Sequence, residues 1–64
     1  MNIIVNEHEN FKTDVYLMDG ENVVEYKINL EGHLVKDFII NLTNRYSLSK
    51  DAKLNEITLH EYFS

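Results

Sequence analysis

From Thr13 to Met18 the chain is rich in β-forming residues and alternates between polar and apolar positions. From Asn22 to Leu30 the alternation is cleaner, with Val24, Tyr26, Ile28 and Leu30 on one side and Val23, Glu25, Lys27 and Asn29 on the other. A period of two places successive side chains on opposite faces of a strand, so both runs predict β-strands. Asp19-Gly20 lies between them, and Asp-Gly is a strong hairpin signal. Charge selects the register. A two-residue loop sets Asp14 opposite Glu25, whereas a four-residue loop, Asp19 to Asn22, sets Asp14 opposite Lys27, and opposite charges across a strand pair are favoured. In either register Val15 and Leu17 share a face with Val24, Tyr26 and Ile28.

Glu31-Gly32 interrupts the strand pattern, and His33 to Tyr46 then predicts a helix. Leu34, Val35, Phe38, Ile39, Leu42 and Tyr46 fall in one stripe at the helical period, while Ile40 points away from it. Ser47 to Lys53 is polar and turn-like. Leu54 to Phe63 alternates again, with Ile57 and Leu59 against Glu56, Thr58 and His60, and predicts a last strand. The expected fold is α+β: a three-stranded, mostly antiparallel sheet in the order β-β-α-β, with one helix on one face, in a single domain spanning 1–64. Met1 to Val5 is expected to be an N-terminal arm or an edge strand within 1–10.

Sixty-four residues make a small core, because a chain of this length hides only about 60% of its unfolded surface. Small domains compensate with disulfides, metals or association. There is no cysteine, which removes the first route and fits a reducing, intracellular setting. Tyr16, Met18 and Val23 make the second face of the sheet half apolar. That surface predicts a homodimer. The formal charge of −5, from 11 Asp and Glu against 6 Lys and Arg, argues against direct nucleic-acid binding, which needs a basic face. It favours cationic protein surfaces instead. MNIIVNEHEN has neither a basic start nor a long apolar run, and no stretch approaches the ~20 apolar residues of a membrane span. The expectation is no secretion signal and no membrane partner.

Side chains that carry chemistry are sparse. His8 and His60 each precede a Glu, but there is no His-Glu-x-x-His pair and no cysteine, so no metal or cofactor is expected. Ser47, Ser49 and Ser64 lack a nucleophile-elbow context. A chain this short leaves little room for a substrate-enclosing pocket, so no catalytic residue is expected and the protein is not expected to be an enzyme. Asn41-Leu42-Thr43 matches a glycosylation sequon, incidental on a helix. Carboxylates two residues apart on a strand lie about 6.8 Å from one another, close to the spacing of adjacent phosphates, so an acidic array can act as a decoy for a phosphate-binding groove. Phe38 and Leu42, spaced i and i+4, sit side by side on the helix. Paired helices in a dimer would leave an apolar groove beside them.

From about Phe11 to Tyr62 the chain resembles the small uracil-DNA glycosylase inhibitors encoded by phages. The resemblance rests on Asp14-Val15-Tyr16-Leu17-Met18, Asp19-Gly20, Glu25-Tyr26 and Asp37-Phe38, together with the size and element order. It implies a homodimer that imitates DNA, covers the DNA-binding cleft of the host's uracil-DNA glycosylase, and traps the apolar side chain with which that enzyme probes the duplex. Phe38 matches the first residue of the family's trap. Leu42 stands where the family has a second aromatic, and Ile39 stands where it has an acid, so the charged contact passes to Asp37 or Glu31. The expected partner-binding residues are Phe38, Leu42, Asp37, Val35, Ile39, Glu31 and Glu25. Two other readings fit an acidic, sticky small domain. One is a decoy for a restriction or CRISPR nuclease; the other is an antitoxin-like module that binds a protein without imitating DNA.

Overall fold

The computed structural model describes residues 1–64. Five strands form one sheet: β1 (Asn2–Glu7), β2 (Lys12–Asp19), β3 (Asn22–Glu31), β4 (Lys53–Leu54) and β5 (Ile57–Thr58). After β3 a single 3₁₀ turn, Gly32–Leu34, leads into α1 (Val35–Arg45), and the short α2 (Leu59–Phe63) closes the chain. The sheet order is β3-β2-β1-β4-β5. All neighbours are antiparallel except β1 and β4, which run parallel through Ile3 and Leu54. The α+β class and the helix-on-sheet arrangement follow the alternation, but the sheet is mixed and has five strands, not three.

The first correction is the N-terminal segment. Asn2–Glu7 is neither an arm nor an edge strand; it is the central strand, paired to β2 from Asn2↔Met18 to Glu7↔Thr13 and to β4 on its other side. Ile3 and Val5 face the helices, opposite Leu17 and Val15. Ile3, Val15 and Leu17 are fully buried, and with Leu30, Ile39, Leu42, Leu54 and Leu59 they form the core. Fully burying a side chain of this class contributes about 1.5–3 kcal/mol, so an inner strand carrying Ile3 supports the fold far more than a tail would. Two asparagines lengthen the short parallel pairing. Asn55 Oδ1 accepts from Val5 N at 2.9 Å while its Nδ2 donates to Val5 O at 3.0 Å, and Lys53 N donates to Asn2 Oδ1 at 3.0 Å.

The second correction is the facing of β3. At the hairpin tip the predicted register holds, with Met18 opposite Val23, and pairing extends one step further to Asp19↔Asn22 around a Gly20-Glu21 turn. Gly20 takes φ 61° there, a conformation open to glycine at no steric cost. Beyond Val23 one residue of β3 slips out of the ladder, so Leu17 pairs with Glu25, Tyr16 with Tyr26 and Val15 with Lys27. A one-residue slip sends every later side chain to the other face. Glu25 and Lys27 therefore lie on the helix side, and Tyr26 joins Tyr16 on the open side. A second slip follows between Val15 and Thr13, after which Leu30 returns to the core opposite Thr13. There Asn29 takes φ 58° and donates its N–H to Asp14 Oδ1 at 2.9 Å. Asp14 does not meet Lys27.

The third correction is the C-terminal strand. Only Lys53–Leu54 and Ile57–Thr58 are extended, as a hairpin turned at Asn55-Glu56 with Asn55 at φ 53°. Thr58 then caps α2 in a capping box: Glu61 N donates to Thr58 Oγ1 at 3.1 Å, and Thr58 N donates to Glu61 Oε1 at 3.5 Å. This reciprocal pairing satisfies two backbone donors that a strand would have needed to place elsewhere. The turn-like stretch 47–52 carries no strand or helix.

Candidate partner-binding site

One end of the molecule gathers the β1–β2 turn, the β3–α1 junction and the last helix. His8 N donates to Lys12 O at 2.7 Å and closes the turn; Gly32 N donates to Phe11 O at 3.1 Å and ties the turn to the junction. Phe11 is 87% exposed and adopts φ 64°. The left-handed region costs a side-chain-bearing residue roughly 1–2 kcal/mol, and glycine or asparagine ordinarily fills such a position. A large aromatic side chain held there and left in water is strained and unburied at once. Backbone strain of this kind concentrates at functional positions.

Phe11 stands on the rim of a hollow of about 400 Å³ lined by Glu7, His8, Glu9, Lys12, Thr13, Gly32, Val35, Lys36 and Tyr62. Val35 and Tyr62 give it an apolar floor, packed against the core. On its far side Phe11 also borders a shallow depression with Glu31 and His33. Glu31 lies 3.5 Å from Lys12 Nζ and 3.6 Å from His33 Nδ1, whereas Glu7 and Glu9 make no ion pair. The end thus presents the unpaired carboxylates of Glu7 and Glu9 around apolar surface, with Lys36, also outside any ion pair, in the same lining. Burial holds the Tyr62 phenol above its ordinary 10.0, so the tyrosine stays neutral beside them.

Two acidic side chains are internal fixtures. Asp14 accepts from Asn29 N, and its Oδ2 lies 2.8 Å from His8 Nε2; the backbone donor first, and His8 second, hold its carboxyl below the ordinary 3.8. Glu25 accepts from Arg45 Nη2 at 2.6 Å and from the Tyr46 hydroxyl at 2.7 Å. Those two donors, Arg45 ahead of Tyr46, pull its carboxyl below 4.5. The guanidinium also sits 5.3 Å from the centre of the Tyr46 ring, a cation–π distance. The cluster fastens the C-terminal turn of α1 to the outer strand β3.

The structure separates the seven residues the sequence singles out. Leu42 and Ile39 are fully buried and Phe38 is half buried against the same core. Leu42 and Ile39 hold the helix to the sheet, so within one chain the expected Phe38–Leu42 groove is not open. Glu25 is not outward-facing, for the reason the slip at Val24 gives. Val35 lines the hollow, Glu31 flanks it, and Asp37 is exposed in the first turn of α1, where a carboxylate also complements the helix dipole. A second hollow, of about 220 Å³ and mostly apolar, lies where α1 meets α2, lined by Thr43, Leu48, Leu59 and Phe63 with Lys50 and His60 at its edge. It falls below the roughly 300–1,000 Å³ of small-molecule sites and suits a single side chain.

Phe11, Glu7, Glu9 and Tyr62 escape a reading of sequence alone. The one available signal was Phe11 itself, an isolated aromatic between Asn10 and Lys12 in a polar stretch. No three His, Asp or Glu side chains converge as a metal site, and no helix is long and apolar enough to cross a membrane. Comparison with known proteins finds no family model, no curated protein and no solved structure that matches the chain.

Proposed function

We propose that this protein is a stoichiometric inhibitor of uracil-DNA glycosylase that occupies the enzyme's DNA-binding cleft by imitating DNA. The observation that carries the reading is the convergence of unpaired Glu7 and Glu9 on a hollow with an apolar floor and Phe11 at its rim. Enzymes that extract a base from the duplex need a groove lined for phosphate and side chains that enter the stack. Carboxylates answer the first, and apolar surface answers the second. Compared with the expectation from sequence, the apolar contact moves from Phe38 and Leu42 to Val35, Tyr62 and Phe11, since Leu42 has no surface to offer. Glu31, in the depression on the other side of Phe11, extends the acidic rim. The test is a titration of glycosylase activity on uracil-containing DNA: activity falls to zero near molar equivalence, and the Glu7→Gln, Glu9→Gln double variant loses potency most at low salt, where charge steering is strongest. Full activity at large molar excess removes the proposal.

Phe11 also favours a second reading, an antitoxin-like module that inserts this side chain into a socket on a protein partner. Aromatic anchors of this kind carry most of the energy of an interface. The two differ in salt response. The decoy weakens steeply with ionic strength, and the socket binder does not.

A further inference from the structure

We infer that the open face of the sheet is the docking surface for a second copy of this chain, packed face to face. The inference is independent of the function proposed above. The face consists of Ile4, Tyr16, Met18, Val23, Tyr26 and Ile28. Tyr26 is 59% exposed, Val23 50%, Ile28 49% and Ile4 43%. Tyr16 and Tyr26 stack at its centre, ring centroids 6.3 Å apart. No element covers it, because α1 and α2 both pack on the other side.

Charge points to the occupant. The chain carries −5, so two copies repel wherever carboxylates project. On this face they do not. Its polar members from β1 are Asn2 and Asn6, opposite Met18 and Asp14, and Asp14 is already satisfied by Asn29 and His8. The slip at Val24 turns Glu25 and Lys27 to the helix side. A basic partner would find no free carboxylate to pair with here, and the cation on this side is Lys53, exposed on β4 one residue from core-facing Leu54. An aromatic-centred surface with no free carboxylate, on an otherwise acidic protein, is complementary to itself, as an isologous two-fold contact requires.

Size agrees. The exposed parts of these side chains amount to on the order of 500 Å² per copy, so two copies reach the roughly 1,000 Å² that a specific interface needs. Face-to-face packing is favoured over edge-to-edge pairing because β3, the long outer strand, is interrupted by two slips, and bulges blunt an edge against strand addition. Stacked sheets sit about 10 Å apart with strands crossing near −30°.

Sedimentation of the full chain from micromolar to millimolar concentration tests this. The expected result is a species of twice 7.6 kDa, reduced to a single folded copy by Tyr26→Lys and left intact by Ile40→Lys on the outward side of α1. If Tyr26→Lys does not fold, Tyr26→Ser is measured instead and weakens association at least about tenfold, the loss typical of an interface hot spot. A second readout is the thermal midpoint of the wild type, which rises with concentration for a dimer. A wild type that stays at 7.6 kDa with a concentration-independent midpoint overturns the inference. So does a dimer that survives the Tyr26 substitutions, or one that Ile40→Lys dissolves.

Discussion

The two faces of the sheet are built from the same strands and from equally apolar residues, yet one is a core and the other a surface. On the helix side Ile3, Val15 and Leu17 are fully enclosed by α1, α2 and the β4–β5 hairpin; one residue along each strand, Ile4, Tyr16 and Met18 look the other way. Apolar character alone does not decide burial. What decides it is which face receives the helix, and two slips in β3 decide which of that strand's side chains share it. The slip beyond Val23 brought Glu25 under α1, where Arg45 and Tyr46 hold it. The same slip placed Tyr26 over Tyr16 on the open side. A charged residue on the covered face and an aromatic on the bare one reverse the usual assignment, and the covered charge is stable only because its partners come from the helix itself.

The sharpest way to break this contrast is to truncate matched positions on the two faces. Leu17→Ala leaves a cavity in the enclosed layer and costs about 2–5 kcal/mol in urea unfolding. Ile4→Ala, one strand over and facing outward, costs under about 1 kcal/mol in samples dilute enough to hold single copies. Equal losses at the two positions would show that the open face is as tightly packed as the core. At the C-terminal end, Thr58→Ala removes the cap on α2 and costs about 1 kcal/mol; an unchanged midpoint would mean that packing of Leu59 alone retains that helix.

Acid titration sharpens the role of the two internal carboxylates. Their folded values lie below the ordinary 3.8 of Asp14 and 4.5 of Glu25, so the unfolded chain takes up protons first. The stability they supply is complete above about pH 5. It declines as pH falls through 4.5 and 3.8 toward the folded values. Asp14→Asn and Glu25→Gln each flatten that decline when unfolding is followed from pH 7 to pH 3, and a slope identical to wild type in both variants would contradict their assigned partners. The smallest effect concerns Phe11. Phe11→Asn relieves a left-handed aromatic that touches little, so stability holds or rises by up to about 1 kcal/mol. A clear loss of stability would show that Phe11 packs in the fold and is not reserved for a partner.

The hairpin and the long helix were legible because each carried its own punctuation. Asp19-Gly20 marks the turn at the predicted tip register, and the stripe from Val35 to Tyr46 matches α1 with a 3₁₀ turn ahead of it. The slip at Val24 was not legible: Val23-Val24 is apolar at both steps, so either can face either side, and no glycine or proline flags the bulge. For β1 the difficulty was similar, since Ile3, Ile4 and Val5 in succession hide a period of two. Alternation from Leu54 to Phe63 reads as one strand although Thr58-Leu59-His60-Glu61 carries the capping-box spacing. As for the site, Val35 lines the hollow and Glu31 borders the depression beside it, whereas Asp37 lines neither. The residues that complete it come from a turn and a terminal helix whose meeting is a tertiary fact. Phe38 and Leu42 fit the helical stripe equally well as groove and as core, and the sheet's demand for a cover made Leu42 core.

The most direct measurement is amide hydrogen exchange on this protein alone and mixed with an equimolar amount of uracil-DNA glycosylase. The expected result is slowed exchange in the complex at Glu7 to Lys12 and Glu31 to Lys36, with the fully buried core strands unchanged. Exchange that the glycosylase leaves unaltered across the whole chain, or slows only at residues remote from that hollow, would contradict DNA imitation through this end of the molecule.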